Sequence, residues 1–71
     1  MDKLEAIQRV LRFSDRIREW VTETYSVYFD DLDEQNVNDY DSGGYGELGD
    51  RIIQEGIKEN ILDKDDVDPL P

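Results

Sequence analysis

The chain has 71 residues, 19 of them acidic and 8 basic, for a formal net charge of −11, and it contains neither Cys nor His. This length allows one small domain with no separate catalytic lobe, and such a domain is marginally stable unless something staples it. Disulfides and thiolate zinc sites are excluded, and the commonest metal ligand and general base is missing, so no cofactor is expected.

The charge is unevenly spread. Residues 1–24 carry five bases (Lys3, Arg9, Arg12, Arg16, Arg18) and five acids (Asp2, Glu5, Asp15, Glu19, Glu23), a net of zero. Residues 25–71 carry three bases and fourteen acids. A field of this sign repels nucleic acid and anionic membrane and attracts basic protein surfaces. Direct nucleic-acid binding would need a basic patch, and Glu5, Asp15, Glu19 and Glu23 neutralise the Arg9, Arg12 and Arg16 face. No apolar run approaches the roughly 18 residues of a membrane span, and the N-terminus has no signal-peptide pattern. With no Cys to oxidise, the expected location is the cytoplasm.

In chain order, Asp2 is placed to cap a helix beginning near Lys3, where a carboxylate suits the positive end of the helix dipole. Leu4, Ile7, Leu11, Val21, Tyr25, Tyr28 and Leu32 then fall on one seam at three- and four-residue steps, interrupted by Ser14 and Arg18. A second seam runs beside it through Ala6, Val10, Phe13, Ile17, Trp20, Thr24 and Val27. The period predicts one long N-terminal helix over 4–32, with Glu5 and Arg9 as a favourable i,i+4 pair on its charged face. Residues 22–29 are also rich in strand formers, which leaves open a break in the helix somewhere in 22–30 and a short β-hairpin over 25–40 as an α+β alternative.

From Asp30 to Asp50 the chain holds eight carboxylates and no Lys or Arg. Asn36, Asn38, Asp39, Asp41, Ser42, Gly43, Gly44 and Gly46 are turn formers, so an acidic loop is expected near 33–46. Glu47 to Leu62 reads as a shorter second helix with Leu48, Ile52, Ile53, Ile57 and Ile61 on its apolar face. Gly49 and Gly56 on or near that face predict close approach of another backbone. Residues 63–71 read as a flexible acidic tail, leaving a single helical domain over 1–62.

The second helix is about half as long as a helix of about 30 residues, which spans about 45 Å. It cannot cover both seams. Either the first helix folds back on itself, or the chain forms a homodimer, or a partner takes the remaining apolar surface.

Carboxylates this numerous single out no acid–base pair, and no apolar cleft is in view to raise a pKa, so the protein is expected not to be an enzyme. Asp39, Asp41, Gly43, Gly44 and Asp50 fit positions 1, 3, 5, 6 and 12 of a calcium loop in part only. Position 5 lacks a side-chain ligand, and position 12 is Asp where a bidentate Glu is needed. No metal ligand is assigned.

Acid spacing points elsewhere. DNA carries a charge every 3.4 Å along each strand. Asp31–Asp33 and Asp39–Asp41 would lie about 6–7 Å apart in extended chain. Asp30–Glu34 and Glu55–Glu59 would lie about 5–6 Å apart on a helix. Tyr40 and Tyr45 offer flat apolar anchors among the acids. The expected partner-binding set is therefore Asp30, Asp31, Asp33, Glu34, Asp39, Tyr40, Asp41, Tyr45, Glu47 and Asp50, facing a Lys/Arg-rich surface of a nucleic-acid-binding protein.

Small size, acidity, absent Cys and His and a tyrosine-dotted acidic run together resemble the small acidic inhibitors of phages and mobile elements, including anti-restriction and anti-CRISPR proteins. The resemblance is one of overall character. It implies a cytoplasmic nuclease or nucleic-acid-binding complex blocked by occupancy and not by catalysis. The alternative from the residues is a helical interaction or dimerisation module that uses the uncovered seam, with a calcium-responsive protein third.

Overall fold

The computed structural model describes residues 1–67. Its elements are α1 (Lys3–Phe13), α2 (Asp15–Tyr25) and α3 (Gly46–Lys58), with 3-10 turns at Phe29–Asp31 and Asn36–Asn38 between α2 and α3. Among the described residues there is no strand, so the mainly α expectation holds and the hairpin over 25–40 does not form.

The single long helix is replaced by two, and Ser14 is the reason. It adopts extended backbone (φ −125°, ψ 102°), closes α1 by donating its N–H to the Val10 carbonyl, and opens α2 by accepting from the Ile17 N–H at its hydroxyl. One residue thus caps both helices, satisfying amide and carbonyl groups that a break would otherwise leave bare. The second helix stops at Ser26, which takes the left-handed conformation (φ 56°, ψ 34°) and donates back to Thr22. Asp2 caps α1 as its position predicts, accepting from the Glu5 N–H at 2.8 Å.

The hinge solves the coverage problem by the first of the three routes, since the long seam folds back on itself. Helix α1 packs against both α2 and α3 and buries residues of both seams: Ala6, Ile7, Val10 and Leu11. Helix α2 buries only Ile17 and Val21. Leu32, Val27 and Val37 join the core from the connection, and Leu62 from the segment after α3. With this packing, the uncovered full-length seam that argued for a homodimer is gone. The corrections fall where the helix was over-extended. Phe13 is 65% exposed, Tyr28 is 61% exposed, and Thr24 is exposed as well.

Helix α3 is shorter than expected, ending at Lys58, with turns carrying the chain through Asn60 to Leu62. The expected approach of another backbone at Gly49 and Gly56 does not occur; side chains approach them instead. A Cβ on Gly49 would lie 2.7 Å from Ile7 Cδ1, and one on Gly56 would run into Val10. Both glycines let α1 side chains settle directly on the α3 backbone. Of the expected tail, residues 63–67 form a turn with Val67 packed on the core and the Asp66 carbonyl accepting from the Met1 ammonium at 3.2 Å. Asp68, Pro69, Leu70 and Pro71 lie outside the described residues.

Candidate functional site

The acidic segment is an ordered series of turns built largely by its own side chains. Asp31 accepts from the Tyr28 N–H at 2.7 Å and closes the first 3-10 turn. Asp33 and Asn36 cap each other reciprocally, each side-chain oxygen accepting the other's N–H at 2.8–2.9 Å. Asn36 also donates to the Asp31 carbonyl, and its own carbonyl receives the Tyr45 N–H. Asn38 donates to the Glu34 carbonyl, and Asp39 accepts from the Asp41 N–H. These are the local side-chain-to-backbone bonds that Asp and Asn offer in place of regular structure. Asn36, which ties three parts of the segment together, is marked in the sequence only as a turn former; the Asp-x-x-Asn spacing is the one signal of its capping role.

These bonds sort the expected site residues. Asp31, Asp33 and Asp39 each spend one oxygen on a backbone amide and remain exposed. Asp30, Glu34, Asp41 and Glu47 are exposed and have neither a side-chain hydrogen bond nor an ion pair. Asp30 and Glu34 do not share a helix face, because the 3-10 turn that holds Asp30 ends at an extended Leu32. Glu55 and Glu59 do converge, but on Arg16, at 3.5 and 2.6 Å. The hydrogen bond and charge of Glu59 lead in holding the Arg16 guanidinium above its ordinary value, with Glu55 adding to them.

Asp50, one of the expected partner-binding residues, is engaged within the fold. Its Oδ1 lies 2.8 Å from Lys3 Nζ, with the two side chains only 24% and 11% exposed. Oδ1 is buried and takes no well-aligned hydrogen bond, so the ammonium charge is what compensates it. Asp50 Oδ2 accepts from the Tyr40 hydroxyl at 2.9 Å. Lys3 also donates to that hydroxyl at 2.8 Å and to the Gly46 carbonyl at 3.0 Å, and it lies 4.6 Å from the centre of the Tyr40 ring. Burial pulls the Lys3 pKa down, but the close Asp50 carboxylate and the hydrogen bond to Tyr40 outweigh it and hold the ammonium above its ordinary value. The N-terminus of α1 therefore fastens Tyr40, and with it the acidic loop, onto the start of α3.

The tyrosines trade places. Tyr40 is half-exposed but held by Lys3 and Asp50. Tyr45 is partly buried, packs on the core and precedes the first residue of α3, so it is a structural residue. Tyr28, assigned by sequence to the apolar seam, is the most exposed tyrosine of the segment.

Elsewhere the cations are engaged differently. Arg18 pairs with Asp15, Lys58 with Glu55, and Arg51 donates to the Tyr25 hydroxyl. Arg9 does not pair with Glu5; its guanidinium lies 5.7 Å from the centre of the Phe13 ring. The partial calcium frame loses its twelfth position to the Lys3 ion pair, and among the described residues no group of three or more acidic side chains is placed to share a cation. No helix among the described residues is long and apolar enough to cross a membrane. Compared with protein-family models, curated proteins and solved structures, the chain matches none.

Proposed function

We propose that the protein is a non-enzymatic acidic inhibitor, acting in the cytoplasm of a host cell, that occupies a cationic nucleic-acid-binding surface on a nuclease or defence complex. One observation carries this reading. Asp30, Asp31, Asp33, Glu34, Asp39, Asp41 and Glu47 are exposed on a segment whose turns are fixed by hydrogen bonds, and no cation pairs with any of them. Solubility alone is served by mixed charges. An ordered, one-signed surface costs self-repulsion in the free protein and recovers it only against a positive partner. Tyr28 and Tyr40 supply flat apolar surface beside the acids.

The test uses Asp30→Asn, Glu34→Gln, Asp41→Asn and Glu47→Gln together, which removes charge where no structural bond is lost. Immobilised wild-type protein, exposed to lysate, should retain a partner that is released by salt and by competing duplex DNA or RNA. The quadruple variant should retain much less. Equal retention by both proteins would sink the proposal.

A second reading, an interaction module with idle acids, is favoured by one feature: among the described residues Phe13 is the most exposed large apolar side chain, and it lies under Arg9. It predicts binding that ignores salt and fails on Phe13→Ala.

A further inference from the structure

Along the exposed side of α1, Met1, Glu5, Gln8, Arg9, Arg12 and Phe13 line one surface groove of about 360 Å³. The stripe recurs at helical spacing and runs about 18 Å at 1.5 Å per residue. Its ends are apolar, with Phe13 65% and Met1 38% exposed. Its middle carries both signs of charge, and those charges do not answer one another. Among the described residues, Glu5, Arg9 and Arg12 form no ion pair, although Glu5 and Arg9 stand four apart on one helix. Arg9 turns to the Phe13 ring instead.

We propose that this stripe is the contact between two copies of the chain, α1 against α1, antiparallel about a two-fold axis near Gln8. The order of the side chains selects that occupant. Acid lies toward one end of the stripe and base toward the other, so a two-fold rotation sets Glu5 against the second copy's Arg9 and Arg12, twice over. The same rotation brings each Phe13 to the other copy's Met1 and covers the apolar ends. A nucleic acid or an acidic segment would answer the arginines and leave Glu5 facing like charge; a basic segment would do the reverse. Net charge does not forbid the contact. Residues 1–24 sum to zero and the excess acid lies in 25–71, and at physiological salt exposed charges are screened beyond about 8 Å. A face of this size buries less than about 1,200 Å² in total, so the dimer is a weak one. It uses no side chain of the acidic connection and therefore stands independently of the acidic-inhibitor reading, while giving a repeated partner two acidic surfaces at once.

The test is sedimentation velocity of the intact protein at physiological salt. The wild type should pass from monomer to dimer between the micromolar and millimolar ranges. Phe13→Ser, which removes only exposed apolar surface, should weaken the dimer by at least about tenfold. Arg9→Glu with Arg12→Glu in one protein, and Glu5→Arg in another, each checked for retained helicity, should both stay monomeric. Mixing those two proteins should restore a dimer, because every facing pair is again of opposite sign. A wild type that stays monomeric into the millimolar range would overturn the proposal. So would a dimer indifferent to Phe13→Ser and to the charge reversals, or a mixture that fails to pair. None of these results touches the acidic-inhibitor reading, which the quadruple variant tests on separate side chains.

Discussion

In the helical body, Arg16 reaches Glu55 and Glu59, Arg18 reaches Asp15, Lys58 reaches Glu55, and Lys3 reaches Asp50. Between residues 26 and 45, no carboxylate meets a cation. Both regions are ordered, but by different means: the body by burial of Ile7, Val10, Leu11, Ile52 and Ile53, the connection by Asx-type bonds to its own amides. In the body, Asp50, Glu55 and Glu59 tie one helix to another, and Asp15 pairs within its own helix. The acids of the connection hold at most one turn each and keep most of their charge facing water. Charge that the fold does not use is charge available for recognition.

Breaking the body should have the largest effect. Ile52 is fully buried, and Ile52→Ala should cost about 2–5 kcal/mol in denaturant unfolding, enough to unfold much of a protein this small. Next comes the clasp between the two regions. Lys3→Met strands the partly buried Asp50 carboxylate and should cost about 1–3 kcal/mol. Because the Lys3 pKa is raised by folding, its contribution is fully present below the ordinary 10.5 and fades as pH rises through the folded value. The wild type should therefore lose stability on that alkaline side, and Lys3→Met should lose less there. An identical alkaline limb in both proteins would remove Lys3 as the clasp.

Ser14→Ala takes the cap from α2 and should cost about 1 kcal/mol, read as a lowered midpoint with an unchanged denaturant slope. The smallest stability effect should come from the quadruple neutralisation of Asp30, Glu34, Asp41 and Glu47. It should change stability by no more than about 0.5 kcal/mol, in the stabilising direction, and should reduce the gain in Tm that added salt gives the wild type. A large destabilisation would show that the connection's charges serve the fold after all, erasing the contrast between the two regions.

Much of the fold was legible because it rests on local signals. Asp2 sits where a cap belongs, Leu48, Ile52 and Ile53 recur at helical spacing, and the run of Asn, Asp and Gly after Asp33 marks turns. The helix break was partly legible. Ser14 is a polar residue on an apolar seam, yet its neighbours continue in phase, so periodicity alone ran through it. The Ser26 left-handed cap gave no clear sign, because serine is not the residue expected there. The site was legible in character but not in membership. Nothing local says that Lys3 crosses to Asp50, or that Glu55 and Glu59 are claimed by Arg16, because those pairs exist only after α1, α2 and α3 pack. Tyr40 and Tyr45 look alike in sequence. Which one enters the core was decided by where α3 begins.

The most direct measurement is the association rate of a captured partner with the wild type and with the Asp30, Glu34, Asp41 and Glu47 quadruple variant, taken across a range of salt. The account predicts fast, steeply salt-dependent association for the wild type, and a slower rate with a markedly shallower salt slope for the variant. Superimposable salt profiles, at matched stability of the two proteins, would contradict it.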